Sequence, residues 1–439
     1  MFQIFIFRRD LRIHDNNSLN YISQFPEPII PIFIFDPVQI SPKKNPYFSN
    51  NCVQFMCESI QDLSNDISNH HGKLQIFHGE PISILKKLLK YNIKRISFNK
   101  DYSLFSQSRD KKIQSFCQDN NIEFVSLDDI CILPPGTVKT GSNTIYKKFT
   151  PFYNKALTFP VPTPTNKKIN FSNLSITKNI NLNKYYKNNP NLLHKGGRTN
   201  ALIQLQNIPN NYKNTHDIPS IPTTEMSAYN KFGCISIREF MLKLKNHPAI
   251  ARQLYFRDFY YNAYYFYPEL FNPTNKIPWN TPNKKLLSAF YEGKTGYPII
   301  DAGIRQMLAT GFMHNRVRML VASFLSKDLL FDWKIGEKFF AQHLYDYDPI
   351  QNNAGWQSVT GIGVSALDWF RVMNPWSQTI KYDPECIYIK EWIPELKNVP
   401  NKIILNWENE QTINTYPKPI INHQKNKEIM LKTFKKYLK

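Results

Sequence analysis

The chain has 439 residues, enough for two or three domains with sizeable cores, and its 42% apolar and 14% aromatic content is a globular composition with an unusually aromatic interior. Fifty-five Lys and Arg against 34 Asp and Glu leave a formal charge of +21, which suits a polyanionic partner through counterion release, although a Lys/Asn-rich usage across a genome would give the same excess. No stretch is apolar enough for a membrane span or a signal peptide, so a soluble intracellular protein is expected.

Residues 2–7, 29–35, 74–77, 95–98 and 123–126 read as buried strands, with helical stretches at 52–70, 82–91 and 109–120 between them. That alternation predicts a parallel sheet with crossover helices, whose ligands bind at the carboxyl ends of the strands. No GxGxxG or Walker loop follows any strand, so a conventional dinucleotide site is not expected in this half. The cysteines at 52, 57, 117, 131, 234 and 386 form no CxxC pair and no zinc-ligand spacing, and suit a reducing compartment.

Residues 155–196 are rich in Asn, Lys and Pro and read as a long surface connection. From about Arg198 the pattern turns helical, with apolar spacing over 236–246, 249–267, 299–310, 315–330 and 335–344. The expected division is an α/β domain over 1–130, a linker over 131–197 and a helical domain over 198–439. Within the helical part, the stretch 252–261 mixes Gln253, Arg257 and Asp258 into dense aromatics, and Gln253 and Arg257 share a face. Asn315, Arg316 and Arg318 open the next helix, where cations oppose the helix dipole unless a phosphate or a carboxylate such as Asp346 or Asp348 sits nearby. Residues 346–356 read as a loop of hydrogen-bonding groups beside Trp356. Its two aspartates could form a metal or acid/base pair, or could tie down arginines and cofactor hydroxyls. There is no nucleophile elbow and no HExxH. A large aromatic, cation-bearing cavity suits a bulky planar cofactor that carries the chemistry itself.

At these residues the sequence resembles the photolyase/cryptochrome family. Phe7-Arg8-Arg9-Asp10-Leu11-Arg12-Ile13-His14-Asp15-Asn16 is similar to the family's opening motif, and Phe149-Thr150-Pro151-Phe152 to the segment leaving its first domain. Thr223-Thr224-Glu225-Met226-Ser227 resembles its flavin-phosphate loop, and Lys231-Phe232-Gly233-Cys234-Ile235-Ser236 the stretch after it. Glu292-Gly293-Lys294-Thr295-Gly296-Tyr297-Pro298, Asp301-Ala302-Gly303, the stretches 313–319 and 352–356, Trp392-Ile393-Pro394-Glu395-Leu396 and Tyr416-Pro417-Lys418-Pro419 continue the match in order.

The resemblance implies a fold of the α/β plus all-α class: an N-terminal Rossmann-like parallel-sheet domain and a C-terminal helical domain holding FAD in a U shape. The family's flavin-binding pattern falls on Tyr212, Thr223, Thr224, Glu225, Met226, Ser227, Gln253, Arg257, Asn315, Arg318, Asp346, Asp348 and Asn352. Arg318 would pair with Asp346, and Asn352 would face the flavin's reactive nitrogen, favouring an anionic reduced flavin. Trp356, Trp333 and Trp279 match the family's electron-transfer chain from flavin to surface, Trp279 only with a one-residue gap. The implied reaction is light-driven repair of cyclobutane pyrimidine dimers in UV-damaged DNA, as in class I enzymes. Reduced FAD passes an electron to a flipped-out lesion held by Gln253, Phe256, Asn315, Arg316 and Met319, with Arg371 and Lys381 on a basic rim. A monomer without obligate protein partner is expected, with an antenna chromophore possible in the first domain.

Three positions depart from the dimer-repair pattern: Gln253 stands where Glu is typical, and Phe256 and Ser358 where Trp is typical. His216 stands where Arg is common. A cryptochrome-like photoreceptor is one alternative. A (6-4) photolyase is another, but of the histidine set it would need at 314, 315 and 319 only His314 is present.

Overall fold

The computed structural model describes residues 1–178, 180–273 and 277–437. Five strands, β1 (Phe2–Phe7), β2 (Ile29–Phe35), β3 (Gln75–His78), β4 (Ile93–Asn99) and β5 (Glu123–Leu127), form one parallel sheet in the order β3-β2-β1-β4-β5. The strands form because apolar runs buried on both faces can satisfy their backbone only by pairing, and parallel pairing needs the crossover helices Asn50–Asn69, Pro81–Leu88 and Leu104–Asp119. The chain leaves β1 toward β2 on one side and returns to β4 on the other, so the strand order reverses between β1 and β4. That reversal opens a crevice beyond the strand ends.

Residues 155–196 are more than a surface connection. Phe171 bridges Ile29 at the start of β2, the Gln75 amide donates to the Leu174 carbonyl at 2.6 Å, and Phe171 and Leu182 are buried. The polar composition hid this because the docking runs through backbone groups rather than through apolar periodicity.

Beyond Arg198 the described residues contain helices and no strand. Those that matter for the site are Pro248–Phe266, Asn315–Ser323, Trp333–His343 and Pro349–Thr360. The stretch read as a loop at 346–356 is helical from Pro349 onward. Asp348 caps it, its Oδ1 accepting from Ile350 N and Gln351 N at 3.0 Å each, and Pro349 takes the first helical position. The proline starts the helix rather than ending one, since a proline there gives up a donor the helix could not use. The helix expected over 315–330 is α-helical only to Ser323 and widens into a single π-helical stretch, Phe324–Asp328, where Leu329 N donates to Phe324 O five residues back. Among the described residues no helix is long and apolar enough to cross a membrane.

Candidate flavin and lesion site

A cavity of about 770 Å³ opens among the helices, within the range of small-molecule sites. Three helices each give it one face. Residues 250, 252, 253, 254, 256, 257 and 260 line it from Pro248–Phe266; 315, 318, 319 and 322 from Asn315–Ser323; and 351, 352, 355, 356, 358 and 359 from Pro349–Thr360. Each set repeats at three and four residues, the spacing that puts side chains on one side of a helix. The segment between the short helices Tyr212–Thr215 and Ser227–Lys231, with the first residue of each, adds Tyr212, Thr224, Met226 and Ser227.

Of the residues expected at the flavin, Tyr212, Thr224, Met226, Ser227, Gln253, Arg257, Asn315, Arg318, Asp346, Asp348 and Asn352 line this cavity, and so do Phe256, Met319 and Trp356. Thr223 and Glu225 do not. Glu225 adopts a positive φ of 51° and meets the imidazole of His194 at 2.8 Å. Arg316, Arg371, Lys381, Trp333 and Trp279 also stand outside the lining. Arg316 is paired with Asp217 at 2.7 Å, and its guanidinium lies 4.6 Å from the centre of the Tyr382 ring. Arg371 and Lys381 are exposed. Trp356 is buried and packs edge-on to Phe340 at 4.9 Å between ring centres, with its indole N–H unpartnered. Trp333 is buried at the start of its helix, and Trp279 is half-buried against Phe434.

The two aspartates have different partners. Arg318 Nη2 donates to Asp346 Oδ2 at 2.9 Å and Ser227 Oγ donates to the same oxygen at 2.6 Å, which leaves Asp346 Oδ1 buried without a partner. Asp348 is saturated. Besides its helix cap, its Oδ2 accepts from Arg9 Nη2 at 2.5 Å and from the Tyr261 hydroxyl at 2.6 Å. Burial would push the Asp348 carboxyl up, but Arg9, the Tyr261 hydroxyl and the capped amide of Gln351 pull it down to about 2. Asp348 therefore ties the loop after β1 to the cavity wall and has no lone pair to spare for a ligand. The cations opening Asn315–Ser323 are met by carboxylates, Asp346 for Arg318 and Asp217 for Arg316. Among the described residues no group of three or more His, Cys, Asp or Glu is placed to hold a metal.

His314 is the N-cap of the same helix and accepts from Arg316 N at 3.2 Å. Burial, with Arg318 adding to it, holds its imidazole down at about 4, so it is neutral near pH 7 and stands outside the cavity lining. Sequence reading missed Glu337. It is buried behind the cavity and accepts from Asn352 Nδ2 at 3.1 Å, and burial raises its carboxyl to about 7. A single carboxylate on the face otherwise made by Trp333, Gly336 and Phe340 was the available signal.

Residues 3–167 match the family described as DNA photolyase, and residues 250–436 match the FAD binding domain of DNA photolyase. The deoxyribodipyrimidine photo-lyase of Alkalihalophilus pseudofirmus is 32% identical over 98% of this chain and 97% of its own length. This chain belongs to the DNA photolyase family. The Escherichia coli deoxyribodipyrimidine photo-lyase is 31% identical over the same shares. Among solved structures, the archaeal photolyase from Sulfolobus tokodaii, described with two FAD molecules, superposes with a TM-score of 0.92 at 38% identity, covering 99% of this chain and 100% of that one. A bacterial class III photolyase from Agrobacterium tumefaciens gives 0.91 at 28% identity, over 99% and 98% of the two chains.

The residues present fit FAD. The partnerless Asp346 Oδ1 needs a donor such as a ribityl hydroxyl or a flavin ring N–H, because a buried unpaired carboxylate oxygen is costly. A Cβ built on Gly355 meets nothing within 4 Å, so the cavity keeps open space beside the helix where a planar ring can lie. Thr224, Ser227, Asn230 and Arg318 supply hydroxyl, amide and cationic groups suited to a pyrophosphate and its sugars.

Proposed function

We propose that this protein repairs UV-induced cyclobutane pyrimidine dimers in DNA with light, as a deoxyribodipyrimidine photo-lyase. One observation carries the reading: a flavin-sized cavity, with an unpaired Asp346 oxygen inside and Gln253 and Asn315 exposed at its mouth, lies in a chain matched over nearly its full length by photo-lyases. When bound, FAD supplies light-driven electron donation to the lesion. The protein's own residues bind, orient and exclude water. Arg318, Asp346 and Ser227 form the polar wall at the cofactor, and Asn352 presents its amide to the ring. Tyr212, Thr224 and Met226 close the loop side, with Thr223 and Glu225 supporting that loop from behind. Trp356, Trp333 and Trp279 are taken as the route by which electrons reach the cavity from the surface.

At the mouth, Phe256 offers a ring face for base stacking, and it already packs on Phe149 at 4.3 Å between ring centres. Gln253 can hydrogen-bond thymine edges without charge. Asn315 and Met319 complete this lesion wall. Arg316 is held by Asp217, so it reaches a phosphate only by exchanging that partner, whereas Arg371 and Lys381 are exposed on the basic rim. The position of His314, capping a helix and neutral, supports dimer repair over (6-4) repair, which needs a proton-transferring imidazole in the pocket.

A second cavity of about 400 Å³ lies at the β1/β4 crevice, lined by Arg8, Arg9, Phe35, Asp101, Phe105 and Tyr347 among others. We assign it to the light-harvesting chromophore, in line with the two FAD molecules of the Sulfolobus tokodaii photolyase. The test of the main proposal is direct. The reduced protein is incubated with dimer-containing DNA under blue light and the remaining dimers are counted. Clearance is expected in light and none in darkness. Unchanged dimer content, with bound flavin and a light-dependent protein partner, would favour a photoreceptor instead.

A further inference from the structure

We propose that Glu337 is a positioning residue: it locks the Asn352 amide with its carbonyl oxygen turned into the cavity, and the strength of the lock follows the protonation of Glu337. This rests on the flavin reading of the cavity and names a regulator of that same site.

The geometry fixes the amide unambiguously. Asn352 Nδ2 donates to the Glu337 backbone carbonyl at 3.0 Å and to Glu337 Oε1 at 3.1 Å. A peptide carbonyl is an acceptor only, and so is an ionised carboxylate, so only the NH2 end of the amide can face Glu337. Both amide hydrogens are thereby used within the protein. Asn352 lines the cavity, and its oxygen is the end left to meet what occupies it. An oxygen facing the ring accepts from a ring N–H and cannot donate to a bare ring nitrogen. The lock therefore favours the protonated, reduced ring over the oxidised one.

Glu337 lines neither cavity and is 4% exposed. Tyr47, from the segment before the Asn50–Asn69 helix, lies near enough to favour the charged form of Glu337. Tyr47 is 37% exposed and lines the second cavity. Its ring stacks on that of Tyr347 at 6.2 Å between centres, 6° from parallel. The charged and titratable groups around Glu337 are thus Tyr47 and, from the turn before Pro349, Tyr347, which feels its charge. Its neighbours on its own helix, Lys334 and Lys338, are exposed. With no cation to hold it ionised, burial raises the carboxyl to about 7, the range in which the protein works. Above that pH the bond from Asn352 is charge-assisted and tighter; below it the acceptor is neutral and the hold weaker.

Three variants test this. Glu337→Gln keeps an acceptor oxygen for Asn352 but cannot titrate; Glu337→Leu removes the acceptor; Tyr47→Phe removes the nearby hydroxyl. On flavin-free protein, the infrared carboxylic-acid signal that disappears as pH rises through about 7 is expected to be missing in Glu337→Gln. In Tyr47→Phe it should disappear at higher pH, because the carboxylate has lost a nearby hydroxyl that favours its charged form. On protein loaded with FAD, the pH dependence of the flavin potential is expected to break near the same pH in the unsubstituted protein and to run straight in Glu337→Gln. FAD affinity should stay within about 3-fold in Glu337→Gln and fall by about 10-fold in Glu337→Leu. Identical pH profiles for the unsubstituted protein and Glu337→Gln would overturn the proposal while leaving the flavin site intact. Failure of the unsubstituted protein to take up FAD would overturn the flavin reading instead, and the carboxyl titration would still decide the role of Glu337.

Discussion

Arg9 and Asp348 lie 339 residues apart in sequence and meet at 2.5 Å. Arg9 follows β1 and Asp348 caps the helix that carries Asn352, Gly355 and Trp356, so one buried ion pair holds the sheet to the flavin wall. Arg9→Ala takes from Asp348 the cation that hydrogen-bonds it and from Asp101 one of its nearby cations. It is expected to destabilise the protein by about 3 kcal/mol, the cost of breaking a buried pair from one side. Denaturant unfolding of the apo-protein measures it, and a parallel loss of FAD retention shows that the pair positions the cavity.

Asp346→Asn removes the charge that faces Arg318 and the lone oxygen that awaits a donor. FAD affinity is expected to fall by about 10-fold, read by fluorescence on titrating apo-protein with FAD, with little change in helix content.

Two glycines should respond in opposite ways. Gly355→Leu projects into open cavity space, so it should abolish FAD uptake while the apo-protein gains up to about 1 kcal/mol from helix propensity. At Gly336 a Cβ would come within 2.1 Å of the Trp356 ring. Gly336→Ala should cost about 1–3 kcal/mol of stability through overpacking. Thermal unfolding and the absorbance of bound flavin separate the two.

Trp356→Phe is expected to slow photoreduction of bound flavin sharply, with Trp333→Phe and Trp279→Phe doing so to lesser degrees. Dimer repair by chemically reduced protein should stay within about 2-fold of the unsubstituted protein, because the lesion contacts are unchanged. Equal photoreduction in all variants would remove the tryptophans from the electron route.

Asp258 is buried and accepts from Leu133 N at 3.1 Å, and burial raises its carboxyl to about 7. The folded state therefore holds this proton more tightly than the unfolded chain does. The stability it contributes is fully present below the ordinary carboxyl range and is lost as pH rises through about 7. Asp258→Asn keeps an acceptor and does not ionise. Its stability should exceed that of the unsubstituted protein above neutral pH by about 4 kcal/mol, with the gap closing toward pH 4, measured by urea unfolding across that range.

The five strands could be read from sequence because residues such as Ile4, Ile32 and Ile96 are buried in unbroken apolar runs, and burial on both faces leaves no other arrangement. The helical lining could be read because Gln253 and Arg257, or Asn315 and Arg318, share helical faces. Partner choice could not. Nothing local tells Asp346, with one oxygen free, from Asp348, with none, since Arg9 and Tyr261 reach Asp348 from distant parts of the chain. Arg316 looked available because Asp217 lies 99 residues away. The start of the helix at Pro349 was legible in principle, because Asp348-Pro349 is a capping signal.

Tyr347 and Lys231 each belong to the walls of both cavities. A molecule settling in either cavity meets two side chains that also border the other. Whatever one occupant does to the affinity of the other is returned by an equal factor, as thermodynamic reciprocity requires. Harvesting light for the flavin and holding it are therefore tasks that share a wall in this molecule.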